Sequence, residues 1–434
     1  MRRTPAEKIV DFLRFSRAEG HCPVGFKEFR QRDWKRALGW LDDAGLAFYF
    51  LRKVKDTNAT DEVPTWVMSR LEQSFATNRQ RVDEMAHRFD SLNKKFNETG
   101  VRYVVLKGLS LIPEFCPDAH LRFQGDFDYL VDEESLPMAQ RVVVEAGYCP
   151  KPSLSRQESI FLMPGTRSAS RSPEQYSAQS PHAVELHLDI LDIDLLPKMP
   201  GVLSVNRART HQSNGLVFPV LPDEDAFLLQ VLHVCAHLFS YWIRMSWLFE
   251  IGFFLNQRTS DASLWNRIEQ RVGDNLMLRE FVVVITELAA KLFAVPIPRL
   301  VGVWGQGIRP ATRVWIENYA THCAFCDVPP YELRLLPKAK LVLFLHQQYQ
   351  STCVHTHSAR NRLIKFPRLS RMASSLRDKP SLILSAGWWK RQLFIRRSLF
   401  HVLSGLRYLC EIPRWRWLNR ARMRSASIDV RVSG

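Results

Sequence analysis

Two apolar stretches constrain the fold of this 434-residue chain more than any other part of it. The first, residues 101–106, reads VRYVVL, and its β-branched and aromatic residues are typical of a buried strand. It ends at a Lys-Gly pair, after which we expect a turn and a short helix. The second, residues 126–131, reads DFDYLV and is predicted to be another strand. Side chains two apart on a strand point to one face, so Asp126 and Asp128 are predicted to project together.

Neighbouring carboxylates repel each other, and a divalent cation that binds both removes the conflict. Carboxylate oxygens at this spacing suit Mg²⁺, which proteins usually bind through one or two carboxylates and the phosphates of a substrate. A third acid is needed if two metal ions are to flank a displacement at phosphorus. The candidate is Glu185 in the stretch AVELHL, where the same alternation places Glu185 and His187 on one face.

The order of these motifs resembles that of the uncharacterised nucleotidyltransferases of the DNA polymerase beta superfamily. The resemblance rests on Lys107-Gly108 before a loop, on Arg122 ahead of the Asp-x-Asp strand, and on the later acid-Leu-His strand. It continues through a helical segment with a His-x-x-x-His and a Trp-Leu-x-acid-Ile motif, and covers roughly residues 70 to 290. Two positions depart from the pattern: Ser110 is separated from its glycine by Leu109, and Glu250 stands where the family usually has Asp.

The resemblance implies an α+β fold, in which a small mixed sheet of the nucleotidyltransferase type is embedded in a mostly helical chain. It implies transfer of a nucleoside monophosphate from an NTP to an acceptor hydroxyl that the sequence does not identify. Asp126 and Asp128 would bridge two Mg²⁺ ions, and Glu185 would hold the ion that activates the attacking oxygen. The residues expected to bind the NTP are Lys107, Gly108, Ser110, Arg122 and His187.

Several of these residues also have a purely structural interpretation. Arg122 could pair with a nearby acid and fix its loop, and Ser110 could cap the helix that follows the glycine. His187 could be a core histidine with satisfied hydrogen bonds. His233 and His237 lie four residues apart on a predicted helix and therefore face one direction. For this pair we expect a supporting role beside the sheet, with Glu250 on a later turn as a candidate partner, and the alternative is that the two histidines bind a metal ion.

A second group of candidate metal ligands lies towards the C-terminus. The residue types are those of a zinc site, but the spacing is not that of a known zinc finger. The residues concerned are Cys323, Cys326, Cys353, His355 and His357.

The pattern along the chain predicts four regions. They are an N-terminal helical region (1–62), a nucleotidyltransferase-like core (63–222), a helical domain packed on the core (223–300) and a basic helical region (301–434). A long helix is expected from Pro64 to about Asn97, and a further one from Asp225 to Phe254. The serine-rich stretch 164–181 is expected to be a long, mobile loop.

Composition adds a preference for anionic partners. Hydrophobic residues make up 46% of the chain, which allows a full core, and the net charge of +16 suits a nucleotide, a nucleic acid or an anionic membrane. Residues 388–424 combine arginines with tryptophans and phenylalanines, as membrane-surface helices and nucleic-acid-binding segments do. We expect the membrane before nucleic acid, and the alternative is a tail with a solvated basic face. Scattered cysteines and the lack of a long apolar stretch predict a cytoplasmic protein, either free or peripheral at the inner face of the membrane.

Two other functions fit the same residues. One is a catalytically inactive scaffold or partner-binding protein that keeps the fold and recruits through its basic tail. The other is an enzyme that adds nucleotides to an RNA end, for which the net charge is the special support.

Overall fold

The computed structural model describes residues 3–15, 25–151, 158–163, 174–177, 182–188, 203–213, 215–239, 243–325 and 413–422. The chain divides into two compact units, the larger formed by Met1–Ala236 and Arg244–Gln306 and the smaller by His237–Ile243 and Gly307–Gly434. The predicted α+β class with a mixed sheet is confirmed. The division into four regions stays a prediction.

The larger unit contains a mixed sheet that includes the strands predicted at 101–106, 126–131 and 183–188. They are β1 (Tyr103–Val105), β2 (Asp126–Val131), β3 (Cys149–Lys151), β4 (Glu158–Leu162), β5 (Ala183–His187), β6 (Arg209–Ser213) and β7 (Leu216–Val220). Among the described residues the order is β3-β4-β5-β2-β1-β7-β6. The pairs β2 with β5 and β1 with β7 are parallel, and the other four pairs are antiparallel.

The helices account for most of the described chain. In the larger unit they are α1 (Pro5–Phe12), α2 (Gln31–Ala44), α3 (Ala47–Asp56), α4 (Thr65–Glu98), α5 (Leu136–Glu145), α6 (Asp223–Phe239, whose last residues belong to the smaller unit), α7 (Met245–Arg258), α8 (Ala262–Val272), α9 (Leu276–Phe293) and α10 (Arg299–Gln306). The predicted long helix is confirmed as α4, which ends before Gly100, a residue with φ of +69°.

The expected helix from Asp225 to Phe254 is wrong as a single element. The structure has α6 and α7 there, and Arg244 before α7 has an extended backbone with φ of −89° and ψ of 130°. Apolar residues continue through both helices, so the sequence pattern carries no sign of the break.

Alternation divides the side chains of β2 between two faces of the sheet. Phe127 and Tyr129 pack with buried aromatic residues of α4. Leu130 packs on the other face with residues of β1 and α6. Asp126 and Asp128 share the face of Leu130, as the period of two requires. The acids therefore lie on the face of the sheet opposite α4.

Part of the predicted mobile loop is anchored. Glu174–Tyr176 forms a 3₁₀ turn, and the buried Tyr176 donates a hydrogen bond of 2.8 Å to Asp42 of α2. Its ring also packs on Phe48 at 4.7 Å. The remainder of 164–181 lies outside the described residues.

The smaller unit is helical where it is described, with α11 (Pro310–Trp315), a π-helical turn (Ile316–Ala320), α12 (Thr321–Ala324) and a helix at 413–422. Trp415 is buried against Tyr319 at 5.8 Å, whereas Trp417 is 66% exposed. The remainder of the basic segment 388–424 lies outside the described residues. Across the described ranges, no helix is long and apolar enough to cross a membrane.

Candidate active site

The register of two parallel strands brings the predicted acids together. Asp128 of β2 is the partner of Glu185 of β5, and Asp126 is the partner of Ala183. Neighbouring strands lie about 4.8 Å apart, so side chains at paired positions on one face are immediate neighbours. Asp126, two residues before Asp128, continues the acidic row along β2. The three carboxylates therefore occupy one small area of the sheet.

Asp128 is the centre of this group. It is 1% exposed, and its Oδ1 lies 2.8 Å from Nζ of Lys107, which follows β1. Burial alone would raise the pKa of Asp128, but the Lys107 ammonium and a hydrogen bond from His187 bring it below its ordinary value. Burial likewise acts to lower the pKa of Lys107, and the charges of Asp128 and Asp126 outweigh it and raise that pKa. The pair is thus fully ionised at neutral pH.

His187 connects the acids of β2, β5 and β4. Its Nε2 lies 3.3 Å from Asp128 Oδ1 and 3.7 Å from Glu185 Oε2, and its Nδ1 lies 3.8 Å from Glu158 Oε1. One ligand atom each from Asp128, Glu185 and His187 lies within 4.8 Å of the others. Within the described part of the chain, this is the one group of three or more such residues that could hold a metal ion.

The charges of the acidic cluster fit a divalent cation. Burial and the nearby charges of Asp128 and Asp126 raise the pKa of Glu185 to about 8. Burial and the charge of Asp128 also raise the pKa of Asp126. The nearby cations therefore do not fully compensate the three carboxylates, and a cation bound between them would. Asp128, Glu185 and His187 are the residues placed to hold such an ion.

The Lys107-Gly108 turn depends on glycine for two reasons. Gly108 has φ of +69°, a conformation that side chains disfavour. A Cβ there would also lie 2.8 Å from Oε1 of Gln124, whose amide donates to the carbonyl of Asp126. The hydroxyl of Ser110 donates to the carbonyl of Lys107 at 3.2 Å and so stabilises the same turn. Ser110 therefore does not cap the N-terminus of the short helix, and phosphate binding by Ser110 stays a prediction.

Arg122 pairs with an acid, as its structural interpretation predicted. Its Nε donates to Oε1 of Glu250 at 2.7 Å, and the hydroxyl of Tyr49 donates to the same oxygen at 3.1 Å. Glu250 was a candidate partner for His233 and His237, but its hydrogen bonds are with Arg122 and Tyr49. His233 packs edge-on against the ring of Trp247 at 4.6 Å.

Two buried polar residues of α4 hold the loop that carries Arg122. Nδ2 of Asn78 donates to the carbonyls of His120 and Arg122 at 2.8 and 3.0 Å. One turn further, Nε of Arg81 donates to the carbonyl of Gln124 at 3.1 Å. The sequence analysis missed both residues. The sequence carries no distinctive signal for them, because the buried stripe of α4 contains other polar residues as well.

Arg244 is a further cation that sequence reasoning missed. Its guanidinium lies 5.5 Å from the ring centre of Phe123, which also packs on Arg81 at 5.2 Å. Burial lowers the pKa of Arg244, while the charge of Asp126 acts to raise it. Asp126 in turn interacts with Lys107, Arg244 and Arg122. Positive charge therefore surrounds the acidic row on the Asp126 side.

The acidic run at the start of α6 has a different role. Asp225 pairs with Arg207 at 2.7 Å and with Arg271 at 2.6 Å, and Glu224 pairs with Arg267 at 3.0 Å. These ion pairs join the region before β6 to α6 and α8. Because each acid is matched by arginine, this run is structural.

Of the predicted zinc ligands, Cys326, Cys353, His355 and His357 lie outside the described residues, so that site stays a prediction. The predicted roles of Asp126, Asp128, Glu185, Lys107, Gly108, Arg122 and His187 in binding metal and NTP stay predictions too, although the structure brings these residues together.

A mixed sheet that presents carboxylates from two parallel strands beside a Lys-Gly turn is an arrangement of the nucleotidyltransferase class. The chain belongs to the family of uncharacterised nucleotidyltransferases, whose family model matches residues 30–294. The resemblance seen in the sequence is thereby confirmed, and the match includes the acidic cluster, Arg122 and Glu250. Neither a curated protein nor a solved structure matches the chain significantly.

Proposed function

We propose that the protein transfers a nucleoside monophosphate from an NTP to an acceptor hydroxyl. The observation that carries the proposal is the register of β2 and β5, which makes Asp128 and Glu185 neighbours with Asp126 beside them. Membership of the nucleotidyltransferase family supports the same chemistry. An NTP donor and a divalent cation are what such chemistry requires.

In this reaction the acceptor oxygen forms a bond to the α-phosphorus, and the bond from that phosphorus to the bridging oxygen of the β-phosphate breaks. Pyrophosphate leaves with the electron pair, and the hydroxyl proton is released to solvent. Two Mg²⁺ ions, when bound by Asp126, Asp128 and Glu185, would supply charge stabilisation for the attacking and leaving oxygens. His187 orients Asp128. Lys107 and Arg122 bind the triphosphate and stabilise its charge, and the turn at Gly108 positions Lys107.

Isothermal titration of the full chain with each of the four NTPs, with and without Mg²⁺, tests the proposal. Wild-type protein is expected to bind an NTP only with Mg²⁺, and the variant Asp126→Ala/Asp128→Ala is expected to lose that binding. Asp90→Asn is the control, because Asp90 pairs with Lys94 on the exposed side of α4 and lies outside the acidic cluster. Equal binding by wild type and the double variant would exclude the proposed site, and a chain that binds no NTP would favour a scaffold.

An RNA acceptor is a separate possibility supported by the charge of +16. RNA binding whose affinity falls steeply with salt, together with extension of an RNA end, would support it. Absence of RNA binding in low salt would favour a small or protein acceptor.

We also propose that residues 388–424 bind an anionic membrane surface. Within the described part, exposed Trp417 lies beside exposed arginines at 414 and 416, a combination suited to lipid headgroups. Co-sedimentation with vesicles containing phosphatidylserine, compared with neutral vesicles, tests this. Equal retention in both would argue against it.

A further inference from the structure

Glu250 is buried in an unusual way. The residue is 2% exposed, and its Oε1 accepts hydrogen bonds from both Arg122 and Tyr49, whereas its Oε2 has no hydrogen-bond partner. A buried carboxylate is costly, and a half-satisfied one more so, because its desolvation is only partly offset. Such a group needs an explanation beyond packing.

The contacts around Glu250 determine the orientation of the Arg122 side chain. Arg122 lies in a loop whose backbone is fixed by Asn78, and its guanidinium is fixed by Glu250 of α7. Tyr49 of α3 adds a second donor to the same oxygen of Glu250. Three helices therefore determine where the charge of Arg122 lies.

Without Glu250, the charge of Arg122 would be left to interact with the acids of the cluster. Its charge already interacts with Asp126, four residues along the chain. Lys107, another cation of the site, already pairs with one of these carboxylates, since its ammonium lies 2.8 Å from Oδ1 of Asp128. A released guanidinium would be attracted to the same carboxylates and would compete with a metal ion.

We propose that Glu250 is a positioning residue that prevents the Arg122 guanidinium from pairing with the carboxylates of Asp126 and Asp128. These carboxylates then remain available to a divalent cation, and Arg122 remains available to the donor phosphates. The inference rests on the proposed function. It assigns Glu250 an effect on cation affinity without any contact with the cation.

Mn²⁺ binding, followed by electron paramagnetic resonance without nucleotide, tests the inference with a readout other than activity. Glu250→Gln keeps the shape and removes the charge, and it is expected to weaken Mn²⁺ binding by about tenfold, the effect of one arginine on one carboxylate. Arg122→Gln/Glu250→Gln is expected to restore wild-type Mn²⁺ affinity. The same double variant is expected to bind inorganic tripolyphosphate more weakly than wild type.

Glu114→Gln is the matched control, since it removes the charge from another 2.7 Å pair with arginine, Glu114 with Arg258. It is expected to leave Mn²⁺ affinity unchanged. A wild-type chain that binds no Mn²⁺ would overturn the proposed function and this inference with it. Wild-type binding with unchanged affinity in Glu250→Gln would overturn the inference alone. If Glu250→Gln does not fold, Arg122→Gln/Glu250→Gln tests the inference in its place. A lower Mn²⁺ affinity of this double variant than of wild type would overturn the inference.

Discussion

Asp128 and Glu185 are register partners on adjacent parallel strands, and His187 lies within 3.7 Å of both carboxylates. The two acids nevertheless differ in their ionisation. The pKa of Asp128 is held low by Lys107 and His187 against the effect of burial, whereas burial and like charges raise the pKa of Glu185 to about 8. Of these two register partners, Asp128 is therefore compensated by nearby positive charge and Glu185 is not.

This difference predicts a dependence of stability on pH. The pKa of Glu185 is higher in the folded protein than its ordinary value of 4.5, so the folded state binds its proton more tightly. Its contribution to stability is fully present below pH 4.5 and is lost as pH rises to about 8. Glu185→Gln, which stays neutral, should unfold at a higher temperature than wild type at pH 8, by a few degrees (about 2–4 °C per kcal/mol).

Thermal unfolding in EDTA at pH 5 and pH 8 measures this effect, with Glu98→Gln as an exposed control on α4. Mg²⁺ should raise the unfolding temperature of wild type at pH 8 and have little effect on Glu185→Gln. A difference between wild type and Glu185→Gln that does not grow with pH would contradict the interpretation.

Alanine substitutions at Gly108 and Gly100 separate the cost of backbone strain from the cost of a steric clash. Gly108 and Gly100 both have φ of +69°, but only at Gly108 would a Cβ meet Gln124, since nothing lies within 4 Å at Gly100. Either change to alanine should cost about 1–2 kcal/mol for the left-handed backbone. Gly108→Ala should cost more, and should also weaken NTP binding, because Gln124 holds the carbonyl of Asp126.

Urea unfolding and NTP titration of the two alanine variants measure both effects. If Gly100→Ala and Gly108→Ala lose the same stability and bind NTP equally well, the approach of Gln124 has no consequence for the site.

Arg81 should support donor binding without any contact with the donor. It donates from α4 to the carbonyls of Gln124 and Ser177, and so fixes the backbone ahead of Asp126. Arg81→Gln should lower the free energy of unfolding by about 2 kcal/mol, because charged hydrogen bonds to buried carbonyls are lost. It should also weaken tripolyphosphate binding. Arg79→Gln, an exposed change on the same helix, is the control, and parallel behaviour of the two variants would exclude a specific role for Arg81.

The sequence predicts the local part of this site well. A period of two places Asp126 and Asp128 on one face, and the structure puts them there with Leu130. The adjacency of Glu185 depends on which strands pair, a long-range choice that the alternation alone does not contain. The need for a third metal-binding acid and the family resemblance together indicated it.

The sequence does not show which distant side chains form hydrogen bonds and ion pairs with each other. Arg122 could be read as a phosphate-binding residue or as half of an ion pair, and only tertiary structure brings Glu250 to it from 128 residues away. Asn78 and Arg81 look like ordinary helix residues, because hydrogen bonds to loop carbonyls leave no periodic signal. The break between α6 and α7 is hidden for a different reason, because apolar residues continue through both helices.

Replacing Lys107 is expected to have two opposite effects, because it should lower stability and strengthen the binding of a metal ion. Its ammonium pairs with the carboxylate of Asp128. It therefore compensates the negative charge of the acidic cluster when no metal ion is bound, and it competes with a metal ion for that carboxylate. Lys107→Met should therefore lower the unfolding temperature in EDTA at neutral pH, since three acids lose their nearest counter-charge. The same change should strengthen Mn²⁺ binding without nucleotide by about tenfold, and should weaken tripolyphosphate binding. Lys94→Met, which removes an exposed lysine paired with Asp90, should do none of these. Weaker Mn²⁺ binding in Lys107→Met would mean that the lysine supports the cation site instead of competing for it, and the donor-binding role assigned to Lys107 would lose its basis.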